Sequence, residues 1–296
     1  MKIARVLVRG KETLALDTPA GLSDIPMYFE RAGLARVFEE RLKSLEKGET
    51  ALACSLDGTL LSALEQLGET TPGEFLIGSP VQYLPPVRRP GKIIAIGRNY
   101  LAHAVETGYS APREVLFFCK APSCLTGHNA PVKIPSWVGR VDPEGELAVI
   151  IGRPGKNISE EDALDHIAGY SIINDVTART MQEEDLKRQE PWFRSKSIDT
   201  FAPMGPFLVP ARYVSDPQHL SLVTQVNGEV RQRSNTSNMI FSIARIIAHV
   251  SKFMTLETGD VIATGTPEGI KPIVPGDVVE IEIESLGILS NPVVAE

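Results

Sequence analysis

Apolar positions along the chain fall into two regimes that meet near residue 85. In the first regime, IARVLV reads as a strand, IPMYFERAGLARVFEERLKSLEKG repeats its apolar residues at helical spacing, and a second helical pattern lies around Leu60 to Leu67. Ser79 to Gly91, SPVQYLPPVRRPG, holds too much proline and glycine for a helix and is expected to run extended. Short β-rich runs follow: KIIAIG, ELAVIIG, AGYSIIND, VTQVNGEV, DVIATG and DVVEIEIES, each closed by Gly, Asn or Asp. Helical spacing returns once, at Ile240, Ile243, Ile247, Val250 and Met254, after a polar SNTSN that can cap it. The pattern predicts a small N-terminal α+β domain over residues 1–85 and a β-rich, mixed α+β domain over 86–296.

The length of 296 residues suits two domains. With 30 basic and 37 acidic residues the net charge is -7, which argues against a nucleic-acid backbone or an anionic membrane as partner. No apolar run approaches a membrane span. Three cysteines, Cys54, Cys119 and Cys124, form no CxxC pair and suit a reducing compartment. Glu12 and Asp17 follow the opening apolar stretch too soon for a signal peptide, so the expected location is the cytoplasm.

Candidate chemistry concentrates in five segments. In DPEGELAVIIG, Glu144 and Glu146 stand two apart at the head of an apolar strand, which puts both carboxylates on one face. Their mutual repulsion is relieved either by solvent at a strand end or by a divalent cation. Asp175 ends the apolar run GYSIIND and is either a third ligand or the N-cap of the segment from Val176 to Leu186. Three carboxylates without His or Cys make a hard oxygen site suited to Mg2+, Mn2+ or Ca2+ rather than to zinc, with Mg2+ the leading choice. In GRNYLAHAVETG, His103 and Glu106 share a helical face, either as an exposed pair or as a general base with its orienting carboxylate. Flanking glycines would let this segment act as a lid. Lys196 precedes FAPMGP, read as a rigid turn that could hold the ammonium in place. Gly265, Thr266 and Pro267 form a turn whose free N–H groups and hydroxyl could receive an anion. No P-loop, GxGxxG, GxSxG or HExxH occurs, and His128, His166, His219 and His249 lie apart without metal-ligand spacing.

Taken together, GRNYLAHAVE, EGELAVIIG, GYSIINDVTAR, SKSIDTFAPMGP, VNGEVRQ, MIFSIARIIAHVS and LETGDVIATGTPEG resemble the fumarylacetoacetate hydrolase family from Lys92 to the C-terminus. The resemblance implies a β-sandwich roll with few helices, usually homodimeric, with an N-terminal third like the variable extra domain of many bacterial-type members. It further implies that Glu144, Glu146 and Asp175 bind one Mg2+ or Mn2+ ion, that His103 and Glu106 are the catalytic pair, and that Lys196 stands near the substrate. Arg98, Tyr100, Gln182 and Thr266 would line the substrate site. Thr180 and Lys271 depart from the family pattern, where Asp and Gly are frequent, and put substrate identity in question.

The implied activity is metal-dependent hydrolysis of a 2,4-diketo acid, an acylpyruvate, to pyruvate and a carboxylic acid. A lyase or isomerase acting on a 2-oxo acid, such as an oxaloacetate decarboxylase or tautomerase or a 2-hydroxyhepta-2,4-diene-1,7-dioate isomerase, would use the same clamp. A non-catalytic metal-binding scaffold is the third class.

Overall fold

The computed structural model describes residues 1–44, 58–70, 73–78 and 80–296. Cys54, Ser79 and the end of the first helical pattern beyond residue 44 lie outside them. Among the described residues there are seven α-helices, and no helix is long and apolar enough to cross a membrane.

A large sheet organises the molecule. Its strands run in the order Gly21–Asp24, Lys11–Thr18, Ile3–Val8, Ala202–Pro210, Ile167–Asn174, Gly145–Ile151, Val261–Ala263, Ile93–Gly97, Leu116–Lys120, with Gln82–Leu84 and Leu125–Thr126 pairing off this path. The central strands Gly145–Ile151 and Ile167–Asn174 are buried along their whole length, which is why GELAVII and IAGYSIIN read as continuous apolar runs rather than alternating ones. A second sheet, in the order Glu229–Asn235, Ser221–Val226, Val278–Ile283, Gly287–Ala295, Val132–Ile134, packs against it. Its strands alternate buried and solvent-facing residues, the one-sided pattern of an antiparallel layer. Leu147, Val149 and Ile172 of the first sheet share one core with Leu222, Ile281, Ile283 and Leu289 of the second.

Helix Ile243–Phe253 caps this core with Ile246, Ile247 and Val250 buried. Its cap is Ser242, whose hydroxyl accepts from the Arg245 N–H at 3.2 Å; SNTSN, expected to supply the cap, instead closes a strand and forms a short 3-10 turn at Thr236–Asn238. A second expectation also fails. FAPMGP is not a turn: it opens the nine-residue strand Ala202–Pro210, where Pro206 falls at a register shift between Tyr170 and Ile172 of the partner strand and Pro203 pairs with Thr126 of a short parallel strand.

The N-terminal helical pattern breaks into Ile25–Arg31 and Ala35–Ser44, parted at Gly33, which takes the left-handed conformation with φ 72°. Ile25, Phe29, Phe38, Leu60, Leu64 and Leu67 form a separate apolar cluster with Leu16. The strand Ile3–Val8 nevertheless joins the large sheet directly, pairing Ile3 with Leu208 and Ala4 with Phe207.

Register determines where the chemistry lies. Asn174 faces Gly145, Ala148 faces Ala263, and Ala263 runs parallel to Ala95. The chain segments leaving one end of four neighbouring strands therefore carry Asp175, Glu144 and Glu146, the Gly265 turn, and Arg98 with the helix behind it.

Candidate active site

The three carboxylates of Glu144, Glu146 and Asp175 converge: one oxygen from each lies within 4.8 Å of the others, and all three side chains are buried. Asp175 is not a helix cap. The following helix, Arg179–Lys187, begins after Ala178, and the Asp175 carboxylate turns inward between two lysines. Lys120 Nζ donates to Oδ1 at 2.6 Å and Lys196 Nζ to Oδ2 at 2.7 Å. Lys196 also donates to Glu144 Oε2 at 2.7 Å. Arg179 ties the remaining oxygen of Glu144 to Asp142 and to the Gln182 amide oxygen.

Charge balance separates the three acids. Burial alone would raise the pKa of Glu144, but Lys196, Arg179 and His103 hold it well below the ordinary carboxylate range. Glu146 moves the other way: burial first, then the charges of Asp175 and Glu144, push it well above its usual value. Its Oε2 accepts the Gly265 N–H at 2.7 Å, and no hydrogen bond to its other oxygen is found among the described residues. Burial works against the ammonium of Lys196, yet Asp175 and Glu144 raise its pKa.

This donor set fits a hard divalent cation. Lys120, Arg140, Arg179 and Lys196 pair with Asp142, Glu144 and Asp175, but none of them pairs with the buried Glu146. A buried carboxylate beside two others and without a cation of its own is costly to ionise until a metal ion neutralises it.

The cavity beside the carboxylates has a volume of about 430 Å3, within the range of small-molecule sites. His103 lines it from the helix Leu101–Glu106, and its Nδ1 lies 3.2 Å from Glu106 Oε2. The second oxygen of Glu106 accepts the Gly269 N–H at 3.0 Å, so one carboxylate both orients the imidazole and fastens this helix to the loop opposite. Burial opposes its ionisation, but His103 and Gly269 leave its pKa below the usual value.

Other sequence candidates are distributed unevenly. Arg98 and Gln182 line the cavity. Tyr100 does not: its ring is buried in the core and its hydroxyl has no partner among the described residues. Thr266 lines the cavity, but its hydroxyl donates to Gly145 O at 3.0 Å and accepts from Gln232 Nε2 at 2.8 Å. With that proton committed, and the Gly265 N–H given to Glu146, the turn serves the protein's own carboxylate rather than an incoming anion through these groups. Thr180 is exposed, accepts the Arg140 N–H at 3.0 Å and does not line the cavity.

Sequence reasoning passed over Arg179, Lys120 and the aromatic wall of Phe118 and Trp192. Arg179 was visible as a cation four residues after Asp175, and Lys120 as a charge closing the apolar strand Leu116–Lys120. The remaining histidines have local partners: His166 meets Arg153, His128 accepts from Ser290, His219 pairs with Asp216, and His249 packs on Phe117 and Phe253.

The family described as fumarylacetoacetate (FAA) hydrolase C-terminal matches residues 92–294, and the chain belongs to this family. It is 44% identical over 257 residues to the mitochondrial oxaloacetate tautomerase fahd2 of Xenopus laevis, covering 84% of this chain and 77% of that one. Among solved structures, a fumarylacetoacetate hydrolase from Exiguobacterium antarcticum superposes with a TM-score of 0.80 at 33% identity, covering 100% of both chains. Fumarylpyruvate hydrolase from Pseudomonas aeruginosa, in complex with Mn2+ and pyruvate, gives 0.68 at 36% identity, covering 75% of this chain and 94% of that one. The fold is thus that of a family of enzymes that includes hydrolases, isomerases and tautomerases.

Proposed function

We propose that the chain is a divalent-metal-dependent tautomerase of 2-oxo acids of the oxaloacetate type. The observation that carries this reading is the placement of a carboxylate-oriented imidazole, His103 with Glu106, in the same cavity as Glu144, Glu146, Asp175 and Lys196. The likeness to an oxaloacetate tautomerase supports the choice of reaction.

Glu144, Glu146 and Asp175 would hold Mg2+ or Mn2+. Bound there, the ion supplies Lewis-acid polarisation of the 2-oxo group. The chain's own residues do the rest. With its Nδ1 proton given to Glu106, His103 keeps a lone pair on Nε2. That nitrogen takes a proton from carbon 3 of the keto acid, the electron pair forms the double bond between carbons 2 and 3, and the proton returns to the oxygen on carbon 2. Lys196 remains charged and adds positive potential where the oxygen gains negative charge.

Hydrolysis of an acylpyruvate is the second reading, favoured by the same His103–Glu106 pair, which could instead deprotonate a water, and by the likeness to a hydrolase solved with pyruvate. The two are separated by following enol-to-keto conversion of oxaloacetate and pyruvate release from acylpyruvates, each with Mg2+ and with EDTA. The tautomerase reading expects metal-dependent acceleration of the first. Pyruvate release without any effect on oxaloacetate overturns it in favour of hydrolysis.

A further inference from the structure

Four long-chain cations line the cavity: Arg98, Arg140, Arg179 and Lys196. Three are paired, Arg140 with Asp142, Arg179 with Asp142 and Glu144, and Lys196 with Glu144 and Asp175. Arg98 has no carboxylate partner among the described residues. Its guanidinium carbon lies 3.3 Å from the ring centre of Tyr109 and 5.4 Å from that of Trp192. One donor is shared with Tyr109, and stacking on aromatic faces consumes none of the others, so the rest of the guanidinium stays available to a carboxylate. Burial is the largest influence on this group and works against its charge, a cost that an anionic ligand would offset.

Two further observations point the same way. Arg98 has φ 57°, a left-handed backbone that a non-glycine residue rarely adopts and that concentrates at functional sites. Its neighbour Gly97 leaves room for the arrangement, since a β-carbon there would stand 3.1 Å from the Trp192 ring. The route from the metal-binding end to Arg98 is an aromatic wall: Lys196 Nζ is 5.2 Å from the Phe118 ring, and the Phe118 and Trp192 rings are 5.5 Å apart. A ligand whose head lies beside Lys196 can rest a short carbon chain on this wall and present its far end to Arg98.

We propose that Arg98 selects a second carboxylate at the far end of the ligand, so that the cavity takes 2-oxo diacids in preference to 2-oxo acids with an uncharged tail. This rests on the 2-oxo acid reading above and adds the tail to it. The test is calorimetric binding to the Mn2+-loaded protein of three probes: 2-oxoglutarate, its 5-methyl ester, and oxalate, which carries the head alone. Wild type should bind the diacid about tenfold or more tighter than the ester, the range of one charge-assisted contact, and Arg98→Met should erase that ratio. Arg98→Lys, which keeps the charge without the fork, should retain part of it, and oxalate affinity should stay within about threefold in both variants because the head site is untouched. Absence of the preference in wild type, or a parallel loss of diacid and ester in Arg98→Met, overturns the assignment of Arg98. Failure of oxalate to bind wild type removes the 2-oxo acid reading and this inference with it.

Discussion

Lys120 and Asp175, 55 residues apart in the chain, meet at 2.6 Å with both side chains almost fully sealed from solvent. Lys120 does not line the cavity; it holds from behind the carboxylate that Lys196 holds from the front. Removing one partner of a buried pair strands the other, which costs about 3–5 kcal/mol in measured cases. Lys120→Met should therefore lose stability of about that size in urea denaturation, and its Mn2+ affinity should fall as Asp175 loses its anchor. A change below about 1 kcal/mol, the scale of an exposed pair, would show the contact to be dispensable.

His103→Ala should reduce turnover about 100- to 10,000-fold, the usual cost of losing a general base, while Mn2+ affinity by calorimetry stays at the wild-type value. Full catalytic rate in this variant would exclude the imidazole as the proton carrier.

Glu106→Gln separates two jobs of one carboxylate. The amide oxygen can still accept the Gly269 N–H, but an amide nitrogen facing His103 Nδ1 would donate and force the ring proton onto Nε2. Turnover should drop by at least about 100-fold, as expected of an imidazole in the wrong tautomer, with amide exchange at Gly269 unchanged. Glu106→Ala should lose turnover and exchange protection together. Rapid Gly269 exchange in wild type would contradict the latch.

Glu146 carries a pKa raised by burial and by its two acidic neighbours, so the folded protein holds its proton more tightly than the unfolded chain does. For an acid shifted upward, stability is fully present below the unfolded value and declines as pH rises toward the folded one. In metal-free protein, Glu146→Gln should remove that decline and flatten the fall in stability above about pH 4.3, the ordinary glutamate value, measured by urea denaturation across pH. The same substitution should weaken Mn2+ binding, because an amide gives up a charged ligand. Metal affinity equal to wild type would place the ion elsewhere.

The residues of the proposed site were more legible in the sequence than the residues that hold them. Glu144, Glu146 and Asp175 were marked by their positions at the ends of apolar strands, and the structure brings them together. Most strands were visible for the same reason: an apolar run bounded by turn residues is local information. Lys120 and Arg179 gave weaker signals because a lone cation becomes meaningful only when its distant partner is known. FAPMGP misled because prolines suppress strand propensity, yet a strand at a register shift tolerates missing N–H donors. Thr266 was legible as a cavity-lining residue, but its hydroxyl's partners, Gly145 and Gln232, were not, because they come from other strands.

The strand Ala202–Pro210 hydrogen-bonds along one edge to Ile3–Val8 and along the other to Ile167–Asn174, the strand that Asp175 follows. Through two residue pairs, Ile3 with Leu208 and Ala4 with Phe207, the first strands lean on the same ladder that positions the carboxylate cluster. Heat or denaturant should thus melt both regions in one transition, and weakening at Ala4, remote from the cavity, should be felt as lower Mn2+ affinity.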